Sequence, residues 1–219
     1  TTGALYVTIN NTLLDTLFGL VMLFPAKQAL LKREYYNGTY SLPSYFFAEL
    51  VVGILTQTVY SIFLSTPVYA MVGFTFSGSQ FFFFCWIICF TSYIGAALAM
   101  AIGPRCADFA QAQQMVLPLL LPMLLFAGYV IPYKQIPAVF QWLYWLSFWQ
   151  YGGNMLQINE FKDAVFSGCD DAGAATGACF KNGTSYLQAV DLDTSNIGRD
   201  QGILLAYFTV IGCLGVLDS

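Results

Sequence analysis

No Asp, Glu, Lys or Arg occurs between Glu49 and Arg105, nor again between Asp108 and Lys134. Charge-free apolar runs of this length dominate the chain and constrain it more than any other feature. In water they would leave a surface that nothing polar covers; in a bilayer each run of about 17–25 residues is long enough for one helical span. Only 9% of the 219 residues are charged and 58% are hydrophobic, against roughly 25% charged in an ordinary soluble domain. Twenty Phe, fourteen Tyr and four Trp fit the same solvent, because aromatic rings gather at membrane interfaces. The fold class is therefore an all-α membrane protein, a polytopic helical bundle.

Five segments are long enough to cross: 3–24, 45–74, 81–102, 115–131 and 203–217. The second is over-long and holds Pro67, which predicts a tilt or kink. A sixth stretch, Ile136–Leu156, is interrupted by polar residues and rich in Trp and Tyr, and reads as an interfacial or re-entrant outer helix pair. Lys27, Lys32 and Arg33 lie in the linker 25–44, and Arg105 lies in the linker 103–114. The positive-inside rule puts both in the cytoplasm and makes the long acidic loop 132–202 extracytoplasmic. Thr1 opens directly onto an apolar segment with no basic leader, so the sequence is expected to be an excerpt from a longer protein.

The absence of histidine removes Ser-His-Asp and Cys-His catalysis and histidine-based zinc sites. No G-x-x-x-x-G-K-[ST] phosphate loop occurs, and no basic block suggests nucleic acid as a partner. Neither catalytic residues nor metal ligands are therefore expected. Cys169 and Cys179 share the outer loop, where oxidation is possible, and are expected to form a disulfide. Asn182-Gly183-Thr184 is a glycosylation sequon in the same loop; Asn10-Asn11-Thr12 and Asn37-Gly38-Thr39 also match, but the topology puts them inside the membrane and in the cytoplasm. Asp15 is the oddest residue: an acid near the middle of a span, costing about 2.5–3.5 kcal/mol on translocon scales. Function is the default reading for such a group, with a hydrogen-bonded structural acid or a local shift in the register of the span as equal alternatives.

The segment Lys32-Arg33-Glu34-Tyr35-Tyr36-Asn37-Gly38-Thr39-Tyr40, followed by Ser44-Tyr45-Phe46, resembles the ABCG subfamily of ABC transporters, the white/brown-type half-transporters and their multidrug and sterol relatives. Phe126-Ala127-Gly128-Tyr129-Val130-Ile131-Pro132, Trp142-Leu143-Tyr144-Trp145, Tyr151-Gly152 and Asn159-Glu160-Phe161 match the same subfamily further along, as do Cys179, Gly183, Tyr186 and Leu187. The matches run in family order and make residues 1–219 a partial ABC-2 type transmembrane domain, helices two to six. The resemblance implies ATP-driven export of lipophilic substrates by a dimer. Its partners would be membrane lipids, a second transporter half and a nucleotide-binding domain that holds ATP and Mg and is absent from this chain. It implies a coupling role for Lys27, Lys32, Arg33 and Glu34, a substrate cavity at Thr8, Asn10, Leu13, Leu117, Leu121 and Leu124, and an outer plug at Tyr129 and Val130. Asn10 reads equally as a bond to a neighbouring helix. Leu13, where some multidrug members carry an aromatic, and Thr56, where many carry proline, depart from the family pattern. The expected location is an integral multi-pass protein of the plasma membrane. A non-ABC channel or secondary transporter and a membrane scaffold are the competing readings; no internal repeat or paired intramembrane charge supports the former.

Overall fold

The computed structural model describes residues 2–37, 41–73, 78–106, 109–128, 131, 136–162, 182–190, 192 and 196–217. Eight α-helices occur among them: α1 (Thr2–Tyr36), α2 (Leu42–Val72), α3 (Gly78–Ile102), α4 (Phe109–Leu125), α5 (Gln141–Leu146), α6 (Phe148–Phe161), α7 (Gly183–Ala189) and α8 (Ile197–Leu217). Three carry stretches long and apolar enough to cross a membrane: Thr2–Leu23, Phe47–Val72 and Gly78–Ile102. Ala110–Leu125 of α4 is a shorter apolar helix. The helix that carries the segment expected at 203–217 begins earlier, with Arg199 and Asp200 in a charged first turn ahead of the apolar run.

Helix α3 is the centre of the bundle and packs against α1, α2, α6 and α8. Its sequence explains this position. Gly95, Ala96, Ala97 and Ala99 keep one stretch slim, and small residues let backbones approach closely where the hydrophobic effect cannot drive helices together. A β-carbon at Gly95 would lie 3.2 Å from the Leu13 carbonyl oxygen of α1, so glycine sets that spacing. Polar pairs then fix register. Ser61 and Ser92 lie 2.8 Å apart in the buried α2–α3 interface, and the Thr58 and Tyr93 hydroxyls lie 2.6 Å apart. Thr16 donates to Gln57 across α1 and α2 at 3.1 Å.

Helix α1 does not stop at the expected membrane boundary near residue 24. It runs on as one helix to Tyr36, about 50 Å in all, against a hydrocarbon core of roughly 30 Å. Lys27 beyond that boundary is ion-paired with Glu49 of α2, which holds the extension alongside its neighbour. Pro67 likewise sits inside α2 without ending it; α2 closes six residues later on Gly73, at φ 71.

The outer pair divides at Ser147 into α5 and α6. Helix α5 keeps the interfacial character expected of both, with Trp142 60% and Trp145 51% exposed. Helix α6 differs: Phe148, Trp149, Tyr151, Met155, Leu156 and Ile158 are all buried, and it inserts against α1, α3 and α8. Gly152 makes room for the insertion, since a β-carbon there would meet Thr91 and Ile9 at 3.4 and 3.6 Å.

Candidate functional site

The faces of α1 define what its polar residues can do. Leu5, Ile9, Leu13, Leu17 and Val21 recur every four residues and are buried to 3% exposure or less. Thr8 and Thr12 flank this row, each donating to the carbonyl four residues earlier at 2.7 Å. Val7, Asn11, Asp15 and Gly19 form the opposite, exposed row.

This arrangement separates the expected cavity residues. Leu13 is fully enclosed, and Thr8 is buried with its hydroxyl bonded to Ala4, so neither faces an open cavity. Positions two apart on a helix lie about 200° apart around the axis, so Leu13 cannot share a face with the exposed Asn11. The available signal for that exposed face was the four-residue spacing of Val7, Asn11 and Asp15. Asn10 lies on the flank, half-buried, and its Oδ1 has no hydrogen-bond partner among the described residues. On α4, Leu121 is 50% exposed, while Leu117 and Leu124 are half-buried. The Tyr6 hydroxyl donates to the Leu124 carbonyl at 3.2 Å, joining the two helices that the resemblance implicates.

Beside this contact a cleft of about 550 Å³ opens between the start of α1, the end of α4 and helices α5 to α7. Gly128 ends the α4 side with φ 87; Trp149 and Gln150 form part of the α6 wall. Both are at least nine-tenths buried, yet Trp149 Nε1 and Gln150 Oε1 lack partners among the described residues, an arrangement that suits a polar guest or a bound water. The Tyr186 hydroxyl donates to Gln157 Oε1 at 3.4 Å on the same wall. Tyr129 and Val130, the expected plug, lie outside the described residues, as do Cys169 and Cys179. Asn182 is described and exposed at the start of α7.

At the charged end of α1 the four expected coupling residues all belong to the extension beyond residue 24. Lys27 pairs with Glu49, Arg33 is exposed and Glu34 is half-buried; the side chain of Lys32 lies outside the described residues. Cys106, after the nearby Gly103–Arg105 turn, is buried, and burial raises its thiol pKa although Arg105 acts to lower it. Asp200, 1% exposed, is raised by burial against the opposing pull of Arg199, 3.2 Å away.

A helical bundle of apolar spans with its Lys and Arg residues kept outside them is a polytopic membrane domain. A family profile described as ABC-2 type transporter matches residues 1–161, and the chain belongs to that family. It is similar to ABC transporter G family member 23 of Arabidopsis thaliana, 26% identical over 210 residues, covering 94% of this chain and 33% of that protein. It is also similar to the ABC transporter ATP-binding protein/permease wht-1 of Caenorhabditis elegans, 26% identical over 94% of this chain and 31% of that protein. The ABC multidrug transporter H of Aspergillus fumigatus is 25% identical over 99% of this chain and 17% of its own length. The chain thus spans a third or less of these relatives.

Proposed function

We propose that this domain is the membrane-spanning half of an ATP-driven exporter of lipophilic cargo, working in the plasma membrane as a homo- or heterodimer with an attached nucleotide-binding domain that holds ATP and Mg. The observation that carries the reading is α1, a single continuous helix that begins in the bundle and ends in the charged segment holding Lys27, Lys32, Arg33 and Glu34. Force applied at Glu34 would reach the core along this one helix, past Pro25, and the Lys27–Glu49 pair would pass it to α2. The names of the relatives support the chemistry: one is an ATP-binding protein/permease and another a multidrug transporter. Asn10, Leu121 and the cleft would lie along the cargo route, with Tyr129 and Val130 as its outer plug. A Cys169–Cys179 disulfide and a glycan on Asn182 would mark the outer loop.

The test is full-length protein in proteoliposomes, with ATP hydrolysis and export of a lipophilic dye measured together. Export should require ATP, and Glu34→Gln should leave hydrolysis intact while lowering dye moved per ATP. Dye movement indifferent to ATP would overturn the reading, and unchanged coupling in the variant would remove Glu34 from it.

A further inference from the structure

Helices α1 and α2 splay apart to leave a groove of about 430 Å³ that none of the expected functions absorbs. Its walls include Asp15, Gly19 and Leu23 from α1 and Val52, Gly53 and Tyr60 from α2. The space beside its two glycines is empty: a β-carbon at Gly19 or Gly53 would meet nothing within 4 Å. From Asp15 to Lys27 it runs twelve residues of helix, about 18 Å, from mid-span to the cytoplasmic end. Leu20, Leu23 and Val52 supply apolar wall between those points.

The charges of the groove do not cancel. Lys27 and Glu49 satisfy each other at the cytoplasmic end, which leaves the Asp15 carboxylate as its net charge. The other polar groups nearby are occupied: Thr56 donates to the Val52 and Gly53 carbonyls, and Thr16 donates to Gln57. Asp15 Oδ2 accepts from the Tyr60 hydroxyl at 3.2 Å, while Oδ1 has no partner among the described residues. An intramembrane acid normally meets a partner or a cavity, and here it meets a cavity.

We infer that the α1–α2 groove binds a cationic amphiphile, with the protonated amine of the ligand on Asp15 and its alkyl chain along the Leu20, Leu23 and Val52 wall. A primary ammonium donates to Oδ1 in a charge-assisted bond, and Tyr60 holds the carboxylate in place from the other oxygen. A neutral alcohol of the same length lacks the charge that Asp15 needs, and an alkyl carboxylate would be repelled. The inference names the cargo class of the proposed exporter, and so rests on that reading for its biological sense; binding without nucleotide tests it separately from transport.

The experiment is equilibrium binding of radiolabelled tetradecylamine to the full-length protein in nanodiscs, with empty nanodiscs subtracted and tetradecanol and butylamine as comparison ligands. Wild type should bind tetradecylamine saturably, and more tightly than either comparison ligand. Asp15→Asn should weaken the amine about tenfold or more, as expected for loss of a desolvated charge pair, and leave tetradecanol unchanged. Asp15→Glu should retain the amine. Gly53→Leu, which fills the groove without touching the carboxylate, should abolish binding of both long chains. Equal affinity of wild type for the amine and the alcohol would overturn the inference even if Asp15→Asn fails to fold. Undiminished amine binding in Gly53→Leu, or butylamine bound as tightly as tetradecylamine, would overturn the groove as the site. A disulfide from Asp15→Cys to a cysteine placed on another transmembrane helix would overturn it too, since the groove would then be filled by protein. Loss of ATP-driven export with amine binding intact would count against the exporter reading alone.

Discussion

Replacing Gly128 by alanine should destabilise the outer end of the bundle by about 2–5 kcal/mol, from two separable causes. Gly128 has φ 87, and an L-residue held in the left-handed region costs about 1–2 kcal/mol. The new methyl would also lie 2.7 Å from Tyr144 Cε2, well inside contact distance. Tyr144 is a stiff ring set edge-on to Trp145 at 5.4 Å, so it must rotate or α5 must shift, and overpacking of this kind costs about 1–3 kcal/mol. A double-mutant cycle with Tyr144→Ala separates the two. Without the ring, Gly128→Ala should cost only the backbone share, leaving a coupling energy of about 1–3 kcal/mol between the positions. Denaturant titration of purified protein in mixed micelles, followed by tryptophan fluorescence, reads all four corners. A coupling energy near zero would refute the steric half of the reasoning. A Gly128→Ala variant as stable as wild type would refute both halves.

Leu13→Ala should cost about 2–4 kcal/mol in the same assay, because Leu13 is fully enclosed and the cavity left behind dominates; Leu121→Ala, 50% exposed, should cost well under half as much, and equal costs would put Leu13 back on an open surface. Ser61→Ala and Ser92→Ala should show a favourable coupling of about 0.6 kcal/mol, the usual scale for interhelical bonds in membrane proteins, whereas strict additivity would dismiss the 2.8 Å contact. Asp200 gives a pH signature. Burial raises its carboxyl above the ordinary 3.8, so the native state holds the proton more tightly than the unfolded state. The stability it contributes is therefore full below the unfolded pKa and declines as pH rises toward the native one. Unfolding midpoints measured against pH should show wild type losing ground to Asp200→Asn over that rise, and a flat difference would show that the carboxyl is solvated.

The fold class was legible in the sequence because the bilayer acts on composition. Charge-free runs such as 50–104 have no stable home in water, and the clustered Lys27, Lys32 and Arg33 mark a helix end whatever it packs against. The break of the outer aromatic stretch into two helices was legible too, since polar residues interrupt it. Rotation about each helix axis was not. Leu13 and Asn11 are two residues apart on an apolar helix with no strong polar face, so the sequence gives little to choose which one points inward. The choice falls to the slim stretch of α3 around Gly95, which draws Leu13 to itself and turns Asn11 and Asp15 outward. Tertiary packing likewise took α6 from the interface into the core, because Gly152 allows a close approach to α1 and α3 that no hydropathy pattern records. It also carried α1 past residue 24 as one helix, where the Lys27–Glu49 pair ties it to α2. In a bilayer apolar faces are nearly equivalent to lipid, so small residues and polar pairs, brought together only in the folded bundle, decide which face is buried.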